Sequence, residues 1–273
     1  MTSPIGIFDS GLGGLSVAKE ILRTLPRERI IYFADNAHVP YGERPFEEVR
    51  EFACGITDFL VNQGAKAVVM ACNMSSAIAL ESARQRHPDI PVLGVIEPGT
   101  RAALKVSNGS PIGVLATTGT VKSQAYINSL KRLDVNSIVF QQACPKFVPL
   151  VESGETDSEE AESVARRYTS SILDSGCRTV ILGCTHYPFL AKAIRAAVGK
   201  DVIIVDPAVE TVIELTSILS SSNQLSEQLV SNHAYYTSGE TQSFSELGAM
   251  FLDLDSLLVR QASWNESSLV RNP

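Results

Sequence analysis

Short apolar runs alternate along the chain with longer stretches in which apolar residues recur every three or four positions, the periods of strands buried on both faces and of helices buried on one. Ile5 to Phe8 is the first run. It stops at Asp9-Ser10-Gly11-Leu12-Gly13-Gly14, after which Leu15, Ala18, Ile21 and Leu22 fall at helical spacing. Ile30 to Phe33 predicts a second strand, and the turn formers from Ala34 to Gly42 an irregular loop. An amphipathic helix over 45–62, a strand at Ala67 to Ala71, a helix over 75–86 and a strand at Pro91 to Gly94 follow.

The order then begins again. Ile112 to Leu115 copies Ile5 to Phe8, and Thr117 to Thr120 leads into a helix over 121–131. A strand at Ser137 to Gln141, a helix over 158–174, a strand at Thr179 to Gly183, a helix over 189–197 and a strand at Val202 to Val205 complete the second round. From Gly6 to Cys72 is 66 residues and from Gly113 to Cys184 is 71. That likeness points to a duplicated unit, although strand patterns alone leave coincidence equally open. The predicted fold class is α/β: two similar lobes with mostly parallel sheets, related by a pseudo-twofold axis, with a cleft between them. Residues 1–95 plus 207–273 are assigned to the first lobe and 96–206 to the second. Thr211 to Leu219 and Phe244 to Leu252 read as helices, Ala234 to Thr237 as a strand, and the polar tail from Arg260, with the single tryptophan Trp264, as the least ordered region.

Composition narrows the function classes. With 273 residues and 44% hydrophobic content the chain has ample core, and its net charge of -7 argues against broad nucleic-acid or anionic-membrane binding. No signal-peptide pattern opens the chain and no apolar stretch nears the ~18 residues of a membrane span, so a cytoplasmic protein is expected. The five cysteines are odd in number and lack CxxC spacing, and the four histidines are scattered. Neither a disulfide framework nor a metal site is expected.

Two cysteines stand apart from the rest. In a parallel sheet the carboxyl ends of strands are where ligands bind, and Cys72 and Cys184 each end a strand beside polar neighbours, Asn73 in one half and Thr185-His186 in the other. Helix amino termini directly after both cysteines are expected to lower their thiol pKa values. Asp9 and His186 are natural proton-handling assistants, although capping explains Asp9 alone and a hydrogen-bonded core imidazole explains His186 alone. Ser10, Asn73, Thr117, Thr120 and Thr185 would line a cleft with neutral donors, suited to a small zwitterion; hydroxyl residues also simply start helices. The Asp9–Gly14 loop lacks both G-x-G-x-x-G and a phosphate-loop lysine. The acidic run Glu152 to Glu162 reads as a solvated helix start, with Glu152 a candidate to face the cleft.

These motifs together resemble the glutamate racemases of the cofactor-independent aspartate/glutamate racemase superfamily. The matching segments are IGIFDSGLGGLSV near the start, YFADNAHVPYG at 32–42, VVMACNMSSAIAL at 68–80, GVIEPG at 94–99, GVLATTGTVKS at 113–123, VPLVESG at 148–154 and LGCTHYP at 182–188. The resemblance implies two α/β lobes with the active site between them and interconversion of L- and D-glutamate without cofactor or metal, supplying D-glutamate for bacterial peptidoglycan. It implies catalytic thiols at Cys72 and Cys184 and acidic assistants at Asp9, Asp35 and Glu152. It also implies substrate binding by Asp9, Ser10, Pro40, Tyr41, Gly42, Asn73, Thr117, Thr185 and His186, and a homodimer. One position departs from the pattern: Met74 stands where the family commonly has threonine, so a hydroxyl donor is lost and only the backbone N–H remains. Within the same superfamily an aspartate racemase or a thiol-dependent decarboxylase stays open, and outside it a non-catalytic amino-acid sensor.

Overall fold

A computed structural model describes residues 3–228, 232–265 and 268–271 of the chain. In chain order the elements are β1 (Ile5–Asp9), α1 (Leu15–Thr24), β2 (Ile30–Ala34), α2 (Phe46–Asn62), β3 (Ala67–Met70), α3 (Asn73–Ile78), α4 (Leu80–Arg86), β4 (Val92–Gly94) and α5 (Ile96–Ser107). There follow β5 (Ile112–Ala116), α6 (Thr118–Ser123), α7 (Ala125–Leu133), β6 (Val139–Ala143), α8 (Phe147–Glu152), α9 (Glu159–Asp174), β7 (Thr179–Gly183), α10 (Ala191–Val198) and β8 (Ile203–Val205). The last segment supplies α11 (Pro207–Ser221), β9 (Ala234–Thr237), α12 (Thr241–Leu252), β10 (Val259–Asn265) and β11 (Ser268–Arg271).

The strands form two sheets, β11-β10-β9-β2-β1-β3-β4 and β6-β5-β7-β8. Every pairing is parallel except β10 with β11. Helices cover both faces of such sheets, so the central strands are buried throughout and read in the sequence as unbroken apolar runs. The order β2-β1-β3-β4 is repeated as β6-β5-β7-β8. Register repeats as well: Gly6 stands opposite Val68, and Gly113 opposite Val180. Cys72 and Cys184 each lie four residues beyond those partners, at equivalent strand ends. One core cluster joins the sheets, running from Ile5 and Val69 through Val212 and Leu215 of α11 to Leu115 and Leu182.

Several expectations need correction. The helix read over 75–86 is broken at Ala79 into α3 and α4, and the one over 121–131 at Gln124, whose φ of 57° is left-handed. Glu152 closes α8, whereas Ser158 starts α9 by accepting a hydrogen bond from the Ala161 amide, so the acidic run is not one helix start. The tail from Arg260 is not loose: β10 adds to β9 in parallel and β11 turns back on it. Its polar composition misled because an edge hairpin needs few buried side chains; in β10 only Ala262 is fully covered. Among the described residues, no helix is long and apolar enough to cross a membrane.

Candidate active site

The carboxyl ends of β1 and β3 meet those of β5 and β7 around a small cavity. Its wall consists of Asp9, Ser10, Pro40, Tyr41, Gly42, Cys72, Asn73, Met74, Thr117, Thr120, Cys184, Thr185 and His186, together with Val148. Val148 is the one wall residue not anticipated, since it lies in a plain apolar run before Glu152. Cys72 and Cys184 are both buried, each 6% exposed. Hydrogen bonds between the halves close the cavity. Thr185 Oγ1 donates to Asp9 Oδ1 at 3.0 Å, Tyr126 Oη to Asn73 Oδ1 at 2.6 Å and the Leu12 amide to Glu152 Oε1 at 3.0 Å.

Asp35 and Glu152 do not line the cavity; each stands one side chain behind it. Glu152 Oε1 lies 2.6 Å from His186 Nε2, and His186 Nδ1 lies 3.7 Å from the Cys184 sulfur. Burial depresses the imidazole, but its hydrogen bonds and charge interactions with Cys184 and Glu152 outweigh that and hold His186 well above its ordinary pKa. Glu152 is pushed up by burial and held below the usual carboxylate range by His186 and the Leu12 amide. The pair is therefore an ion pair with the imidazolium directed at a thiol. Asp9 differs. Burial raises its carboxyl against the pull of His186, the Gly11 amide and Thr185.

The glycine-rich loop permits this proximity. A methyl group on Gly13 would come within 2.2 Å of His186 Nδ1, and one on Gly11 within 2.3 Å of Glu152 Oε1. Tyr32 anchors the loop from below, its hydroxyl donating to the Gly11 carbonyl at 2.8 Å. On the opposite wall Thr117 caps α6, accepting from the Thr120 amide at 3.4 Å, and a methyl on Gly42 would strike its Cβ at 2.5 Å. The capping role and the wall position thus belong to one residue.

The two thiols differ more than their sequence contexts indicated. Cys72 caps α3, as expected, yet its pKa is pushed up to about 12. Burial and the charge of Asp9 drive the rise, and the Ser75 amide and hydroxyl oppose it only in part. Desolvation outweighs the amino terminus of a six-residue helix. Cys184 is not followed by an α-helix at all: Thr185, His186 and a 3-10 turn at Tyr187–Leu190 precede α10. Its polar partner is the imidazole. A raised pKa means that the Cys72 thiolate becomes scarcer by a factor of ten for each unit below about 12. Alkylation of Cys72 by iodoacetamide, followed by peptide mass spectrometry, is thus expected to rise about tenfold per pH unit from 7 to 10 without a plateau. A plateau below pH 9 would contradict the buried neutral thiol.

Among the described residues no three His, Cys, Asp or Glu side chains gather as a metal-ligand set. Cys144 is buried, its thiol donating to the Gln142 carbonyl at 3.4 Å.

Comparison with known proteins gives one answer. The sequence profile of the Asp/Glu/hydantoin racemase family matches residues 5–215. A glutamate racemase of Geobacter metallireducens is 46% identical over 251 residues, covering 91% of this chain and 92% of its own. The crystal structure of a Bacillus anthracis glutamate racemase superposes with a TM-score of 0.90 at 39% identity, covering 97% of this chain and 98% of that one. A Francisella tularensis glutamate racemase in complex with D-glutamate gives 0.89 at 33% identity with the same coverage.

Proposed function

Since the chain belongs to the Asp/Glu/hydantoin racemase family, we infer that it interconverts L- and D-glutamate, with Cys72 and Cys184 as the paired acid and base on opposite faces of the α-carbon. Glutamate racemisation makes it an isomerase. The observation that carries the two-thiol reading is the repeat: equivalent strand ends of two like-ordered sheets each bring one buried cysteine to the same cavity. That arrangement supports a division into a lobe of residues 1–95 with 207–273 and a lobe of residues 96–206. Circular dichroism of D-glutamate with purified protein and no added cofactor tests it. The signal is expected to decay to zero as the racemate forms; a constant signal excludes the activity, and faster turnover of aspartate would move the substrate assignment.

Inversion by proton transfer requires a group that takes a proton on one face and a second that returns one on the other. In the resting enzyme Cys72 is the neutral donor, its proton held by burial. Cys184, beside the His186–Glu152 pair, then removes the α-proton of L-glutamate while Cys72 protonates the opposite face. In the reverse direction Cys72 acts on D-glutamate. The carbanion between them is the costly species, stabilised by preorganised donors and by exclusion of water. Among the described wall residues none is Lys or Arg, so hydroxyls and amides receive the carboxylates. Asp9, the single carboxylate of the wall, is the acceptor for the substrate ammonium.

Met74 tests how the carboxylates are held. Its sulfur packs where a methyl on Gly119 would sit 2.9 Å away, so the wall offers a thioether in place of a donor. Met74→Thr is expected to lower KM about three- to tenfold, the worth of one added hydrogen bond, with little change in kcat. A raised KM in steady-state assays would contradict this role. The reading also carries a cytoplasmic location, a homodimer and the supply of D-glutamate for cell-wall peptidoglycan; light scattering checks the dimer.

A further inference from the structure

The loop Pro40–Gly42 forms one wall of the cavity, and its grip on the fold comes from far away in the chain. Asp35, with its side chain wholly buried, receives four donors. Its Oδ2 accepts from Tyr41 Oη at 2.5 Å, on the wall loop, and from His38 Nδ1 at 2.9 Å, two residues before it. Its Oδ1 accepts from Ser238 Oγ at 2.6 Å and from Trp264 Nε1 at 2.8 Å, both from the C-terminal segment. One carboxylate thus joins the two regions, an oxygen to each.

Aromatic packing reinforces the join. The His38 ring stacks on Phe52 with centroids 4.0 Å apart and meets Trp264 edge-on at 5.7 Å. Phe52 lies 5.4 Å from Trp264 and 5.9 Å from Tyr41. Trp264 reaches this point because β10 continues the first sheet beyond β9, in register Val259 to Tyr235, and β11 folds back against it with Leu269 opposite Trp264. Asp35 and Trp264 are 229 residues apart, so the contact exists only once the C-terminal hairpin has docked.

We propose that Trp264 is a positioning residue of the active site: its indole N–H fixes Asp35, and Asp35 fixes Tyr41 and with it the wall that faces the substrate. This rests on the glutamate-racemase reading and extends it to a residue that does not line the cavity. Hydrogen bonds to a carboxylate are the strong kind, and a buried carboxylate that loses one donor turns to recover it from its remaining partners. Rotation of Asp35 moves Tyr41. Tyr41 packs with Cys72 and Met74 in one small cluster, but the larger effect is expected on substrate binding, because Pro40, Tyr41 and Gly42 face the cavity.

Trp264 is the single tryptophan of the chain, so the unmodified enzyme reports on this contact directly. Tryptophan emission titrated with glutamate is expected to change saturably, with a midpoint equal to the KM found by circular dichroism on the same preparation. Trp264→Phe keeps the ring and removes the donor; it is expected to raise KM about five- to tenfold with kcat within about twofold, and Trp264→His, which retains a ring N–H, to recover part of the loss. Emission that stays constant through saturation, or a Trp264→Phe enzyme with unchanged KM, overturns the proposal. A fall in kcat alone with KM unchanged overturns it too, since that is general destabilisation. Should the unmodified protein fail to racemise glutamate, it is the functional reading that falls, and the absent turnover identifies that case.

Discussion

Cys184→Ala is expected to abolish racemisation in both directions, lowering kcat/KM by about 10³- to 10⁴-fold or more, and Cys72→Ala to do the same. In the proposed scheme each thiol is needed in every turnover, as acid in one direction and base in the other. L- and D-glutamate are mirror images with equal free energy in water, so the equilibrium constant is one and kcat/KM must fall equally both ways whichever thiol is lost. An asymmetric role can therefore appear only in kcat and KM separately. The cavities left are small, and thermal melts check that both variants fold. Circular dichroism started from each enantiomer makes the measurement, and turnover within tenfold of the unmodified enzyme in either variant would sink the two-thiol scheme.

Gly13→Ala is expected to lower kcat/KM by about 10²- to 10³-fold although it removes no reacting group. The added methyl would lie 2.2 Å from His186 Nδ1, 2.6 Å from its Cε1 and 2.7 Å from Thr185 Oγ1. Those atoms have nowhere to retreat. His186 is 2% exposed and tied to Glu152 at 2.6 Å, and Thr185 is tied to Asp9 at 3.0 Å. Either the imidazole swings from Cys184 or the loop lifts and takes the Leu12 amide from Glu152; both separate the thiol from its ion pair. Overpacking of this kind also costs about 1–3 kcal/mol of stability. Steady-state kinetics with a thermal melt checks both effects, and an alanine variant of native activity would mean that His186 does not serve Cys184.

Much of the site was legible in the sequence because parallel strands buried on both faces leave plain apolar runs, and the residue that ends each run lies at the ligand side of the sheet. Asp9, Cys72, Thr117 and Cys184 were located that way, and the glycine-to-cysteine spacing that pointed to a duplicated unit has its counterpart in a register that the strand pairing repeats. Family resemblance added Pro40, Tyr41 and Gly42, whose loop has no periodicity to read. What stayed hidden depends on contacts distant in sequence or on burial. α5, which the sequence reading did not include, carries Pro98-Gly99 near its start and packs on α7 and α11. The tail hairpin has little apolar content to announce it, and its Trp264 gains meaning only from Asp35. The Cys72 thiol was misjudged for the same reason: a helix amino terminus is visible in the sequence, whereas the desolvation that outweighs it is not.

Transfer of solvent hydrogen tests the central claim most directly. L-Glutamate is incubated with the enzyme in heavy water, and substrate and product are recovered early and their α-positions examined by mass spectrometry. With one monoprotic thiol on each face, the proton taken from L-glutamate stays on Cys184 while Cys72 delivers a solvent-derived deuteron. D-Glutamate is expected to carry α-deuterium from the first turnovers, while recovered L-glutamate stays unlabelled. Deuterium entering L-glutamate faster than the product forms, or D-glutamate that retains its original α-hydrogen, would contradict two opposed thiols.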